Sequence, residues 1–316
     1  MQTGFLVRST ASLTDRWTTV HWIAAALKAG HRAWILENRD VAVADRRWTA
    51  RAFVLDGPLS AGEVAHRLTR RTAPRRRIAL DRLDVLLLRH TPLDTTVLAL
   101  GLALQQAGVT LVNPPAGQLL VAHKSWLAAQ DLPTPETLVT GSLGDAMVFH
   151  QRVGALVVKP DRGSGGSGVQ TVDAGDLRGL EAAFHAARGP LGRAVLQERL
   201  RGTEGERRLL WCDGEILGGY VRQAGPGDFR HNLRQGATPH PHTVDDDDRA
   251  FGPLLAPLLA PLGIRFAGLD VLHGRLLEVN AVNPGGTVYA DALNGTRLGR
   301  AVVERLLAAP RHPRLP

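Results

Sequence analysis

Residues 155–172, ALVVKPDRGSGGSGVQTV, carry a glycine run from Gly163 to Gly168 that matches GxGxxG letter for letter. A dinucleotide fold needs a helix directly after the last glycine, so that its N-terminus faces a pyrophosphate. Here Val169-Gln170-Thr171-Val172 follows, which predicts a strand. There is no Gly-Lys-Ser/Thr either, so the run is not a Walker phosphate loop. A glycine-rich tip between two strands is a flap, whose bare N–H groups can close over phosphate oxygens. Alone, it reads equally well as a simple turn. Lys159-Pro160 precedes it at the end of the apolar strand Ala155–Val158, and a lysine there reaches a phosphate as a compact charge. Lys124 opens the same region. The chain has only three lysines, Lys28, Lys124 and Lys159, so two of the three flank one expected phosphate site.

Working outward, strands are expected at 4–8, 32–36, 52–55, 83–88 and 109–112, with helices at 18–28 and 95–107 between them. That alternation predicts a parallel α/β sheet. Asn113-Pro114-Pro115 breaks the chain, and a domain boundary is placed at residue 118. Beyond it come strands at 137–140, 155–159, 168–172, 194–198, 207–212, 215–222, 265–271 and 275–282. Helices at 122–129, 175–188, 245–262 and 297–308 accompany them. The expected organisation is an α/β unit over 1–118, a small lobe with the glycine flap over 119–190, and a larger α+β lobe over 191–316.

The stretch Ile264 to Asn280 reads as a hairpin in which Asp270, Glu278 and Asn280 interrupt apolar strands. Lone carboxylates there are costly unless paired or metal-bound. Mg²⁺ bound to a nucleotide takes oxygen ligands and one or two carboxylates. Parity supplies a geometric expectation. A two-residue turn at His273-Gly274 would put Asp270 and Glu278 on opposite faces, so an odd loop, Leu272-His273-Gly274, is predicted.

The 316 residues carry a net charge of +8 and are 44% hydrophobic. No apolar run approaches the roughly 20 residues of a membrane span, and the N-terminus has no signal-peptide pattern, so a cytoplasmic protein is expected. The single cysteine, Cys212, excludes an intrachain disulfide framework and a cysteine-based zinc site. The densest basic stretch, Arg70, Arg71, Arg75, Arg76 and Arg77, has no aromatic residue for base stacking and reads as a solvated face rather than a nucleic-acid site. His240 and His242 read as part of a linker, and Asp245 to Asp248 as the acidic start of a helix.

Lys124, Lys159-Pro160 with the flap, Arg230-x-Asn232 and Asp270…Glu278-x-Asn280 occur together in that order. This set resembles the ATP-grasp superfamily and, more closely, the bacterial glutathione synthetases, over nearly the whole chain. The resemblance implies a Rossmann-like N-terminal domain followed by a two-lobed ATP-grasp α+β domain. It implies that Lys124, Lys159 and the flap residues Gly163, Ser164, Gly165 and Gly166 hold ATP phosphates, together with Asn232. Gln197, Glu198 and Leu200 would line the adenine pocket and Glu206 would hold the ribose. Arg208 and Arg230, with Lys159, would stabilise the transferring phosphoryl group, and Asp270, Glu278 and Asn280 would bind two Mg²⁺ ions, replaceable by Mn²⁺. Arg89, Arg222, Asn283, Gly285 and Gly286 would face the substrates. The implied chemistry is phosphorylation of a carboxylate followed by attack of an amine, in a homo-oligomer (dimer or tetramer), on small-molecule substrates.

Two segments depart from the family. Its Arg-Lys-Asp-Pro-Pro reads Arg89-His90-Thr91-Pro92, one residue shorter, and its Asn-Val-Thr-Ser-Pro reads Asn280-Ala281-Val282-Asn283-Pro284 before Gly285 and Gly286. Both lie where substrates would bind. A ligase for γ-glutamylcysteine and glycine leads, followed by a ligase for another amino-acid or peptide pair. A non-catalytic nucleotide-binding protein stands behind both.

Overall fold

The computed structural model describes all residues except 91, 92, 164, 190, 191, 201, 203, 226 and 309–316. Its first sheet holds seven strands: β1 (Gln2–Val7), β2 (Arg32–Glu37), β3 (Val41–Ala44), β4 (Arg47–Leu55), β5 (Arg75–Ala79), β6 (Val85–Arg89) and β7 (Thr110–Val112). β1 pairs in parallel with both β2 and β6, and β6 with β7. The expected parallel sheet forms the centre, and an antiparallel edge is added where β4 pairs with β2, β3 and β5. The parallel strands are apolar throughout, as burial on both faces requires. The antiparallel edge contains the arginine stretch, where Arg75–Arg77 faces Phe53–Arg51. Not all of those arginines are merely solvated. Arg71 pairs with Glu37 at 3.4 Å, Arg75 pairs with Asp40, and both guanidiniums lie about 5 Å from the Phe53 ring.

Helices α1 (Thr18–Lys28) and α2 (Ala61–Thr69) cover one face of this sheet, and α3 (Thr95–Gln106) covers the other. Ser60 caps α2 with a reciprocal capping box through Glu63, and Asp94 caps α3. Two short helices, α4 (Pro115–Val121) and α5 (Lys124–Ala128), then lead into a four-stranded antiparallel sheet. Its strands are β8 (Thr137–Thr140), β9 (Leu156–Pro160), β10 (Gln170–Val172) and β11 (Ala194–Glu198), in the order β10-β9-β11-β8. Helices α6 (Leu143–Val153) and α7 (Leu177–Arg188) close its core. The small lobe therefore takes in β11, which lies past the boundary expected at 190, because β11 pairs with both β8 and β9.

The third sheet runs β14-β13-β12-β15-β16, with β12 (Glu206–Cys212), β13 (Glu215–Gln223), β14 (Thr238–Pro241), β15 (Phe266–Leu272) and β16 (Arg275–Asn280). Helix α8 (Asp246–Leu259) packs on it, capped by Asp245 through a capping box with Asp248. The histidine segment is not a free linker. Thr238–Pro241 is an edge strand on β13, and His242 Nε2 lies 2.5 Å from Asp248, which also pairs with Arg207 at 2.8 Å. Among the described residues, no cluster of three or more His, Cys, Asp or Glu is set to hold a metal. Helices α9 (Thr287–Asn294) and α10 (Leu298–Leu307) return to the N-terminal sheet. There Val302, Val303 and Leu306 share one core with Val20, Ile23 and Phe266, and Trp22 meets Phe266 edge-on at 5.0 Å. β1 and α10, the first and last described elements, thus share one apolar cluster. No helix among the described residues is long and apolar enough to cross a membrane.

Candidate functional site

Strand parity places the first group. Along β9, Leu156 and Val158 enter the core of the small lobe, so Val157 and Lys159 face the other way, into a cavity of about 460 Å³ between the small lobe and the third sheet. Gln197 on β11 pairs with Val157 in register and shares that face. Lys159 Nζ donates to Gln197 Oε1 at 2.8 Å, and Gln197 Nε2 donates to Thr137 Oγ1 at 3.0 Å. Burial pulls the Lys159 pKa down to about 8; Glu278 and Asp270 pull the other way, while Lys124 adds to the fall.

Lys124 reaches the same cavity from the first turn of α5. Its N–H donates to the Asp161 carbonyl at 3.0 Å, and the Asp161 carboxylate accepts from Ser125 N (2.8 Å) and Ser125 Oγ (3.1 Å) and contacts His123 Nδ1 at 2.8 Å. Asp161 thereby ties the start of α5 to the base of the flap. Nothing in its local sequence sets Asp161 apart, although it directly follows Lys159-Pro160. Lys124 Nζ lies 3.3 Å from Glu278 Oε1 and donates to the Gly163 carbonyl at 3.4 Å.

The flap itself joins β9 to β10, as expected, and leans on residues 230–235. Gln235 Nε2 donates to the Gly165 carbonyl at 3.1 Å. Gly166 has φ +76°, and a β-carbon on it would stand 2.7 Å from Asn232 Oδ1. Any side chain at 166 would push the flap off that loop. Gly166→Ala is therefore expected to raise the KM for ATP about tenfold, roughly 1.4 kcal/mol, with an unchanged melting temperature; equal KM values would show that the flap does not close on nucleotide. Ser164 lies outside the described residues. Arg230 in the same loop is held by Asp228, with Nε–Oδ1 at 3.0 Å and Nη2–Oδ2 at 2.9 Å, and this pairing keeps the Asp228 carboxyl at about 2.

The hairpin expectation is half right. The turn is the two-residue one, with Leu272 opposite Arg275 and with His273 and Gly274 at φ +49° and +71°, the backbone of a type I′ connection. Parity is restored elsewhere. A bulge between Asp270 and Val271 leaves Leu277 unpaired, so Asp270 faces Glu278 directly and Asn280 faces Gly268. All three polar residues then share one face. Asn280 Nδ2 donates to Asp270 Oδ2 at 3.1 Å.

Asp270 is buried at the centre of a charged cluster. Arg208, opposite it on β12, brings Nε to 2.7 Å from Oδ1, and Arg222 on β13 brings Nη2 to 2.7 Å from the same oxygen. Burial works against the charge on Arg208, but Asp270, Tyr220 and Glu278 together more than offset it and hold this guanidinium above its ordinary pKa. Arg222 also pairs tightly with Glu206, opposite it in register. Asp270 Oδ1 thus lies between two guanidiniums, while Oδ2 accepts from Arg208 Nη2 at 3.2 Å as well as from Asn280. Two carboxylates and an amide oxygen on one sheet face, beside two lysines, fit Mg²⁺ carried by a triphosphate. At the other end of the cavity, Val157, Val169, Leu272 and Leu277 form an apolar slot fit for a base.

The cavity wall gathers Lys124, Lys159, Gly163, Gly165, Gly166, Gln197, Glu198, Leu200, Glu206, Arg230, Asn232, Asp270 and Glu278. Arg208 and Arg222 stand beneath it, reaching it through Asp270 and Glu206. Asn280 opens instead onto a second cavity. The residues expected to face the substrates sit differently. Arg89 is buried at the end of β6 and stacks 4.6 Å from the Trp22 ring centroid; Nη1 donates to the Pro284 carbonyl (2.7 Å) and Nε to Thr19 Oγ1 (3.1 Å). Burial without a carboxylate partner pushes its pKa down to about 9. Gly286 N donates to Thr18 Oγ1 at 3.3 Å. Arg89, Asn283, Gly285 and Gly286 thus form a seam between α1 and the loop after β16, and line neither cavity.

Comparison with known proteins agrees with this layout. Residues 1–118 match the family model of the prokaryotic glutathione synthetase N-terminal domain, and residues 126–295 match that of its ATP-grasp domain. The glutathione synthetase of Thermosynechococcus vestitus is 30% identical over 98% of this chain and 100% of its own length. Among solved structures, the D-cycloserine synthetase DcsG superposes with a TM-score of 0.66 at 19% identity, covering 96% of this chain and 99% of that one. The ATP-grasp ligase PsnB, complexed with a phosphomimetic variant of minimal precursor, Mg and ADP, gives 0.65 at 18% identity, covering 98% of each. The chain belongs to the prokaryotic glutathione synthetase family and is an ATP-dependent ligase of the ATP-grasp fold that forms carbon–nitrogen bonds.

Proposed function

We propose that this ligase joins the cysteinyl carboxylate of γ-glutamylcysteine to the amine of glycine. The observation that carries the catalytic part is the meeting of Lys124 and Lys159 with Asp270 and Glu278 around one cavity, with Asn280 hydrogen-bonded to Asp270 behind it; the names of the relatives supply the substrate pair. A substrate carboxylate oxygen bonds to the γ-phosphorus as the bond to ADP breaks, giving an acyl phosphate. The amine nitrogen then attacks the carbonyl carbon, phosphate leaves with the C–O bonding pair, and the amine loses a proton.

In this reading Lys124, Lys159 and the flap N–H groups hold the phosphates in line. Gln197 orients the Lys159 ammonium, while Glu198 and Leu200 border the base and Glu206 the ribose. Arg208 and Arg230 offset charge that builds on the transferring group and then on the tetrahedral carbon. Asp270, Glu278 and Asn280 would hold Mg²⁺, as two ions and with Mn²⁺ able to replace it, and the metal would offset the negative charge of the phosphates. Arg89, Asn283, Gly285 and Gly286 act as positioning residues that fix the loop after β16 against the N-terminal domain, and Arg222 fixes Asp270.

Phosphate release measured over a panel of amino acids and γ-glutamyl peptides tests the assignment. Turnover should require γ-glutamylcysteine and glycine together, with glutathione identified by mass. Turnover only with another pair would replace the substrates and keep the ligase, and no ATP turnover with any pair would sink the catalytic reading.

A further inference from the structure

Asn113-Pro114-Pro115 does more than end the N-terminal sheet. Asn113 is buried, and its carboxamide makes two donated and two accepted hydrogen bonds. Nδ2 donates to the Phe266 carbonyl at 2.7 Å and to the Ala281 carbonyl at 3.0 Å. Oδ1 accepts from Arg265 N at 2.9 Å and from Phe266 N at 3.2 Å. These partners are the start of β15 and the first residue past β16, at the open end of the carboxylate hairpin. The β15–β16 ladder runs out at the pair Gly268 and Asn280. Past it, buried backbone groups need partners from elsewhere, and the N-terminal domain supplies them with one side chain. A carboxamide carries two donors and an acceptor oxygen with two lone pairs on one flat group, which is what this gap demands.

Asn113 is tied to the other half of the phosphate site as well. Its carbonyl accepts from Gln118 Nε2 at 2.6 Å inside α4, and α4 leads directly into α5 with Lys124. The residue thereby sets the segment carrying Lys124 against the hairpin carrying Asp270, Glu278 and Asn280. The N-terminal domain grips the loop after β16 at two further points, through Arg89 on the Pro284 carbonyl and Thr18 Oγ1 on Gly286 N. Of the three grips, that of Asn113 on Ala281 is the one adjacent to Asn280. Asn280 spends its Nδ2 on Asp270, so its Oδ1 is the atom left for a cation, and the backbone at 280–281 sets where that oxygen points.

We propose that Asn113 is a positioning residue that acts through Asn280, holding the open end of the hairpin in the arrangement that lets Mg²⁺ bind together with nucleotide. The proposal rests on the metal assignment made above. Without this bracket the two strands part beyond Gly268, Asn280 leaves Asp270, and the nucleotide keeps its lysine and base contacts but loses the gain from the metal.

Calorimetry of ADP binding with and without Mg²⁺ reads that gain as a ratio of two affinities. In the parent, Mg²⁺ should tighten ADP at least about tenfold. Asn113→Leu removes all four bonds at similar volume, whereas Asn113→Asp keeps an acceptor for Arg265 and Phe266 but loses the amide donor. In both, the ratio should fall to within about twofold of unity while Mg²⁺-free affinity holds. A packing defect alone would weaken both affinities alike. Asn280→Ala should lose the ratio too, and adding Asn113→Leu to it should cost nothing more. Thr18→Val, which frees the same loop farther on, should keep the ratio. The parent itself gives a reading that depends on no variant folding: adding Mg²⁺ to the ADP complex should slow amide exchange at Arg265 and Phe266 at least about tenfold. A ratio kept in either Asn113 variant, losses that add to those of Asn280→Ala, or unchanged exchange in the parent would overturn the proposal and leave the metal assignment standing. A parent whose ADP affinity ignores Mg²⁺ would remove both.

Discussion

Replacing Asp270 by asparagine should lower kcat at least about a thousandfold and also lower the melting temperature. Two separate demands on one side chain meet here. Its carboxylate lies directly opposite that of Glu278 on the face proposed to hold the cation, and Mg²⁺ carried by phosphates relies on one or two such groups. It is also the acid that offsets Arg208 and Arg222, Asp270 and Arg222 being buried and Arg208 only about a tenth exposed. Asparagine keeps the shape and removes the charge, so Glu206 alone would face two guanidiniums. Breaking a buried pair from one side costs about 3–5 kcal/mol, because a charge is left without a partner. Glu278→Gln supplies the contrast. Glu278 is about a quarter exposed and pairs with Lys124 at 3.3 Å, so its loss should reduce turnover comparably while leaving the melt near that of the parent. Thermal melts beside phosphate release at graded Mg²⁺ would show the split. An Asp270→Asn protein that melts with the parent would mean the arginines are neutralised by something other than Asp270.

That contrast also marks what the sequence could and could not disclose. Lys159, the flap and the carboxylates were legible because each breaks a local rule: a lysine ending an apolar strand, glycines where no turn type needs so many, acids inside a hairpin. The requirement that Asp270 and Glu278 share a face was also legible, from period-2 parity. The device that meets it was not. Leu276 is buried in the core and Leu277 lines the cavity, but two adjacent leucines have the same hydropathy, so nothing in the text says which one bulges. His273 at positive φ was equally hidden, since a non-glycine residue adopts that backbone only when the turn holds it there. The antiparallel half of the first sheet was missed because Arg75–Arg77 has no strand-like alternation; its pairing with β4 and its cation–π contacts to Phe53 are made only in the fold. Arg89 was assigned to substrate on family position, whereas Trp22 and Pro284, distant in sequence, draw it into the seam.

ATP affinity should fall about tenfold for each pH unit above 8, and Lys159→Met should abolish that dependence while weakening binding about a hundredfold. In the free site, burial holds the Lys159 ammonium at about 8, well below an ordinary lysine. Below that pH the protonated, phosphate-binding form is populated; above it, the free protein sheds the proton. Bound phosphate oxygens favour the charged form and raise its pKa again, so binding above pH 8 must take a proton up. The nucleotide's own phosphates are fully ionised there and do not mask the effect. Calorimetry of ADP binding in buffers of different ionisation enthalpy reads this directly: almost no proton uptake at pH 7, rising toward one at pH 9. Methionine fills the lysine's volume without its charge and removes a desolvated cation from the small lobe, so the variant should fold normally. Arginine should not restore binding, because its wider fork cannot replace the single Nζ that donates to Gln197 at 2.8 Å. Proton uptake that stays flat from pH 7 to 9 in the parent would place the phosphates away from Lys159. Uptake that persists in Lys159→Met would assign the titration to another group.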